Sequence, residues 1–153
     1  MLYVLIGIQA SGKSTWAKAN AERLSAAVVA SDDIRNEMEA DGLDATGQGD
    51  RVFAIFAQRV ARLLDAGSSV IADATHARRA WRANILAIAR QREVRIAAVW
   101  FQASLDTCRV RNSQKPGGTR WGDRIVPEDV LVDMWRRLEP PAADEFDEIW
   151  KIC

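Results

Sequence analysis

Gly7-Ile8-Gln9-Ala10-Ser11-Gly12-Lys13-Ser14-Thr15 satisfies the pattern G-x-x-x-x-G-K-[ST], between an apolar run of strand length, Leu2–Ile6, and a helical stretch opening at Ser14. That strand–loop–helix setting is where the pattern carries its mechanism. Gly7 and Gly12 permit backbone angles that a Cβ would forbid. Successive N–H groups of the loop, through Gln9, Ala10 and Ser11, can then point inward at a phosphate, and the helix that follows adds unpaired N–H groups and its positive dipole end. Lys13 would neutralise the β and γ oxygens. Ser14, with Thr15 beside it, supplies the hydroxyl for Mg²⁺, a hard cation that keeps most of its waters and needs few protein ligands. The loop therefore predicts nucleoside triphosphate binding and leaves open what is done with the nucleotide.

Outward from the loop, strand-length apolar stretches alternate with longer stretches of helical period, the signature of a parallel sheet with crossover helices. The expected strands are Leu2–Ile6, Ala27–Ala30, Val70–Ala72, Val94–Phe101 and Ile149–Ile152. Helices are expected over Ser14–Leu24, Val52–Asp65, Arg79–Arg92 and Leu105–Asn112, and from Pro127 to the stop at Pro140-Pro141. Asp41–Gly49 and Ser113–Asp123 resist this reading, and loops of that length are usually functional or mobile. The chain of 153 residues fits one domain over 1–153, with 48% hydrophobic residues to fill a core.

Lys and Arg total 21, as do Asp and Glu, so no global positive field would hold the molecule on nucleic acid or an anionic membrane. The two cysteines, Cys108 and Cys153, form no CxxC or Cys/His cluster, which argues against structural zinc and suits a reducing compartment. The N-terminal apolar run is too short to span a bilayer, and we read it as a strand of a cytoplasmic protein. Charge is nevertheless uneven. Residues 76–124 hold eleven Lys and Arg against three acids, between acidic flanks. The first six, Arg78, Arg79, Arg82, Arg90, Arg92 and Arg95, read mostly as solvated helix faces. The rest, Arg109, Arg111, Lys115, Arg120 and Arg124, gather around a loop containing Pro116-Gly117-Gly118.

A hydrolase, a switch and a kinase can all carry the phosphate loop, so polar residues at strand ends must discriminate. Ser31-Asp32-Asp33-Ile34-Arg35 follows the second strand, where open α/β sheets place their ligand crevice. Transfer to a hydroxyl needs a carboxylate within reach of the attacking oxygen and a cation to hold the acceptor. Asp32 and Arg35, three apart on an opening helical turn, meet both needs; an N-cap with a surface ion pair is the alternative. Asp73 ends the third strand and could orient a metal-bound water or Arg35, or cap the next helix. His76, the one histidine, reads as a turn residue rather than a catalytic base. A cationic lid closing over the transferred phosphoryl group can contribute about 10³–10⁵ in rate.

Taken in order, Gly12-Lys13-Ser14-Thr15-Trp16-Ala17, Asp32-Asp33-x-Arg35, Asp73-Ala74-Thr75, Arg111-Asn112-Ser113 and Arg124-Ile125-Val126-Pro127-Glu128 resemble the 5′-hydroxyl polynucleotide kinase family. The resemblance runs over nearly the whole chain, to Phe146-Asp147-Glu148. It implies an α/β P-loop NTPase of nucleoside-monophosphate-kinase-like fold, a three-layer sandwich with a five-stranded parallel sheet and a helical basic lid near residues 109–127. It also implies ATP and Mg²⁺ as cofactors and a 5′-hydroxyl DNA or RNA end as acceptor. By position, Lys13 and Ser14 fall on ATP and its metal, Asp32 is the general base, and Arg35 takes the phosphate after the acceptor nucleoside, with Asp73 in the acceptor site. Arg111 is a lid arginine; Lys115 by spacing or Arg124 by the R-x-V-P pattern is the second lid cation.

The chain departs from the family's compact lids at Pro116–Asp123, which looks like an insertion. Trp121 within it would stack on a nucleobase, worth about 1–3 kcal/mol, or pack the lid on the body. A phosphatase or ligase module of the kind such kinases often carry is lacking, so the chain would work alone or with separate partners. A kinase for a small hydroxylated metabolite or antibiotic, and a non-catalytic ATP-binding switch, remain as alternatives.

Overall fold

β1 (Leu2–Ile6) is buried along its whole length, which is why it reads as an unbroken apolar run: a central parallel strand is covered on both faces. In the computed structural model, which describes residues 1–153, it pairs in parallel with β3 (Ser69–Asp73) on one side and β4 (Ile96–Phe101) on the other. β2 (Ala26–Ala30) and β5 (Glu148–Ile152) form the edges, giving the order β2-β3-β1-β4-β5 with every pair parallel. This is the five-stranded parallel sheet and P-loop kinase-like fold expected from the sequence.

Alternate residues of each strand feed opposite faces. Leu2, Val4 and Ile6 join the larger core with Val52, Phe56 and Val60 of α3 (Gly49–Asp65) and Ile85, Leu86 and Ala89 of α4 (Arg79–Gln91). Tyr3 and Leu5 face the other side, where α1 (Lys13–Asn20) contributes Ala17 and the half-buried Trp16. A third, small cluster of Ile8, Cys108 and Leu131 seats the phosphate loop on α5 (Leu105–Ser113) and α6 (Glu128–Arg137).

Several boundaries move. α1 stops at Asn20 rather than Leu24, because the chain turns through Ser25 at φ 48° to enter β2. The opening helical turn at Asp32 continues into a full helix, α2 (Ser31–Ala40), which buries Ile34 and Met38 one turn apart. α3 begins at Gly49, shortening the preceding loop, which is pinned by buried Ala45 and an Asp44 carboxylate accepting from the Thr46 N–H. β4 starts at Ile96 instead of Val94, since Glu93 at φ 56° turns the chain out of α4. The lid is helical only at its base: after α5, residues 114–127 run through turns to α6.

The reading of the arginines as solvated fails at Arg82, whose side chain is 0% exposed. It pairs through Nε and Nη2 with both Glu145 oxygens at 2.8 Å and donates to the carbonyls of His76, Glu139 and Pro140. A signal for it was present: Arg82 shares the helical face of Ile85, Leu86 and Ala89 at i+3, i+4 and i+7. No helix is long and apolar enough to cross a membrane.

Candidate active site

The phosphate loop lies where strand order reverses, between the carboxyl ends of β1 and β3, the crevice in which open α/β sheets bind ligands. Gly12 caps α1 in the left-handed region at φ 102°, a conformation open to glycine without penalty. At Gly7 the constraint is space: an added Cβ would stand 2.5 Å from Ser11 Oγ and 3.0 Å from Phe101 Cβ. The Gly7 N–H donates to the Thr75 carbonyl at 3.1 Å, tying the loop to the end of β3. Gln9 and Ala10, the latter at φ 62°, form the crown of the loop, and Thr15 is exposed on the first turn of α1.

Lys13 is buried, and its Nζ donates to the Ile8 carbonyl at 2.7 Å. Burial lowers its pKa to about 8, against the pull of the Asp73 and Asp32 carboxylates. Gln9 Oε1 and Ser11 Oγ are buried without hydrogen-bond partners. Free helix N–H groups, a buried ammonium and an unpaired hydroxyl together fit a polyphosphate. Ser14 Oγ donates to Asp73 Oδ2 at 2.7 Å, setting two hard oxygens side by side at the helix start, as Mg²⁺ requires. Burial raises the Asp73 pKa, with the Ser14 hydrogen bond and Lys13 opposing. Asp73 is thus bonded to the Ser14 hydroxyl, and Arg35 pairs elsewhere.

That partner is Asp32. On the first turn of α2, Arg35 Nη1 lies 3.2 Å from Asp32 Oδ1, the i, i+3 spacing read from the sequence. The lid descends over this pair. An added Cβ at Gly122 would stand 3.8 Å from Asp32 Oδ2, and the Trp121 ring centroid lies 5.2 Å from the Arg35 guanidinium. Of the two readings for Trp121, packing against the body is the one observed. Its N–H donates to Asn36 Oδ1 at 2.8 Å, its carbonyl accepts from Asn36 Nδ2 at 3.1 Å, and its indole Nε1 donates to Glu39 at 3.0 Å.

The lid cations separate by partner. Arg111 reaches the phosphate loop, donating from Nη1 to the Ser11 carbonyl at 3.2 Å. Lys115 is half-buried close to Asp32, and burial lowers its pKa. Arg124 turns away to Glu39 at 3.3 Å and the Thr119 carbonyl, with Trp121 stacked 3.8 Å beneath it. Arg109 is held outside by Glu128 and Asp106, and Arg120 is exposed beside Asp123. Asn36 and Glu39 were not singled out in the sequence, and Asn112 entered only as the middle of the Arg111-Asn112-Ser113 block, with no role of its own. Asn112 clamps the lid's return limb through both backbone groups of Val126, as Asn36 clamps the tip; only the pairing of an amide with a distant loop backbone marks either, which sequence spacing does not carry.

His76 occupies a turn at φ 45°, buried, with Nδ1 2.9 Å from the Leu5 carbonyl and its ring edge-on to Phe56. Burial lowers its pKa to about 4, so it stays neutral and is spent on the scaffold.

The fold is shared widely among solved structures. Kti12 of Chaetomium thermophilum, in complex with ADP-AlF3, matches with a TM-score of 0.81 at 16% identity, over 100% of this chain and 89% of that one. A gluconokinase from Sinorhizobium meliloti 1021 matches at 0.66 and 18% identity, over 98% and 80%. A chain of the Pnkp1/Rnl/Hen1 complex matches at 0.63 and 23% identity, over 77% of this chain and 40% of that one. No curated protein matches the sequence. The model of one protein family matches residues 2–141, nearly the whole span from β1 past α6, and on that ground the chain belongs to the AAA domain family.

Proposed function

We propose that the protein is an ATP-dependent phosphotransferase acting on the 5′-hydroxyl of a polynucleotide end. The observation that carries this is the Asp32–Arg35 pair, placed between the phosphate loop and a cationic lid: Asp32 bears on Lys13 from one side and on Lys115 from the other. In the reaction the acceptor hydroxyl oxygen attacks the γ-phosphorus and its proton passes to Asp32. The bond from the γ-phosphorus to the β,γ-bridging oxygen breaks, leaving ADP, whose new charge Lys13 neutralises. Arg111 and Lys115 stand over the transferred group from the lid. Mg²⁺, held through Ser14 with Asp73 behind it, supplies charge neutralisation on the β and γ oxygens when bound.

The order of motifs from Gly12 to Glu128, together with the likeness to the Pnkp1 complex, supports the polynucleotide acceptor. A small hydroxylated acceptor is the second reading, favoured by the lid's close descent on Asp32 and Arg35. One assay separates them. Labelled ATP is offered with 5′-OH DNA, 5′-OH RNA, nucleoside 3′-monophosphates and small alcohols. Transfer to the oligonucleotides is expected, and transfer confined to small alcohols would overturn the proposal. Asp32→Asn should abolish transfer while leaving ATP affinity nearly intact; substantial residual turnover would remove Asp32 from the role of base.

A further inference from the structure

The Trp121 ring lies against Arg35, the cation read above as the acceptor's. The Arg35 guanidinium lies near two aromatic rings, Trp121 at 5.2 Å and Phe53 at 5.8 Å, with its Nη1 on Asp32. Its side chain is only 19% exposed, whereas that of Asp32 is 45% exposed. The base is thus open while the cation beside it is covered. The cover is built: Trp121 is fixed to α2 by both backbone groups through Asn36 and by its indole through Glu39, and Arg124 backs the ring at 3.8 Å.

The two bonds to Asn36 use backbone atoms and hold whatever the side chain at 121, so the lid tip can stay docked when the ring leaves Arg35 and its bond to Glu39. A cation–π contact is worth about fivefold in an equilibrium. A phosphate on a guanidinium makes charge-assisted, often two-point hydrogen bonds that are roughly twice as strong as neutral ones. An anion can therefore take Arg35 from the ring, and a neutral group cannot.

We propose that Trp121 is a specificity-determining residue that covers Arg35 in the free protein and yields it to acceptors carrying a phosphate beside the reacting hydroxyl. A neutral alcohol reaches Asp32 but gains no anchor. This rests on the reading of Arg35 as the acceptor's cation, and the arms of the test keep the two apart.

With the phosphate loop filled by Mg²⁺ and a non-hydrolysable ATP analogue, NMR titration compares the wild type with Trp121→Leu for three probes: inorganic phosphate, a nucleoside 3′-monophosphate and the same nucleoside without phosphate. Trp121→Leu should bind both phosphates about fivefold more tightly and the bare nucleoside unchanged, and adding Arg35→Gln should erase the gain. Weaker binding of the 3′-monophosphate, making the ring a platform for the base, or an equal shift for all three probes, overturns the proposal. A gain for inorganic phosphate with no binding of the nucleotide upholds the cover and removes the polynucleotide reading; equal nucleotide binding in both proteins does the reverse. Trypsin cleavage after Arg120 and Arg124 reports whether the lid stays docked. Should Trp121→Leu loosen it, Trp121→Phe, which keeps a ring and the Asn36 bonds, carries the test with an intermediate gain.

Discussion

His76 makes the fold sensitive to acid through a single buried ring. Its folded pKa of about 4 lies below the usual value of 6.5, so between those values the unfolded chain binds a proton that the folded one refuses. Stability is then lost as pH falls from 6.5 towards 4, by about 3 kcal/mol over the window. Asn accepts the left-handed backbone at this position, where φ is 45°. His76→Asn is accordingly expected to lower stability at neutral pH, through the lost contact with Phe56, yet to flatten the acid limb. Urea midpoints at pH 7, 6, 5 and 4 check this; parallel curves for the two proteins would mean that the histidine is not the group that titrates.

At the scale of elements, the lid and α2 act as one unit. Asn36 and Glu39 of α2 hold the lid tip, Asn112 of α5 holds its return limb, Arg111 bonds to the phosphate loop, and Lys115 lies by Asp32. Lys115→Ala is expected to lower kcat by two or more orders of magnitude, the scale of a lost transition-state contact. Arg124→Ala should leave kcat within about tenfold of wild type and instead speed tryptic cleavage after Arg120, because Glu39 loses a partner. The reverse ranking would assign Arg124 to the phosphates.

The phosphate loop, the strand alternation and the Asp32/Arg35 spacing were legible in the sequence because each is a short-range constraint, fixed by a few bonds or one helical turn. α2 was read only as a turn because four of its ten residues are acidic and hide the Ile34/Met38 stripe. The lid's docking was illegible for another reason: Asn36 and Trp121 are 85 residues apart, and an amide bonding to backbone leaves no pattern in composition.

For the molecule as a whole, the buried Arg82–Glu145 pair joins the segment after α6 to the turn behind the phosphate loop. Removing one partner of such a pair leaves an uncompensated buried charge, costing about 3–5 kcal/mol. Arg82→Ala should show that loss in urea unfolding, and Arg82→Met with Glu145→Gln should recover part of it; no recovery would place the cost in the three carbonyls that Arg82 also satisfies. The zero net charge hides a basic stretch over residues 76–124, whose arginines the fold disperses: Arg82 is buried on Glu145, Arg92 pairs with Asp65 and Arg109 with Glu128. Under the proposed function, binding to a strand end through so few phosphate contacts should be weak and salt-sensitive, without affinity for long tracts.

The same clamp has a meaning in time. Arg82 and Glu145 are 63 residues apart, so a ribosome adding roughly 5–20 residues per second delivers the carboxylate about 3–13 s after the guanidinium. Throughout that interval the His76 carbonyl, and with it the turn that ends in the Thr75–Gly7 bond, waits for its anchor. The nucleotide loop is thus made well before the residues that steady it.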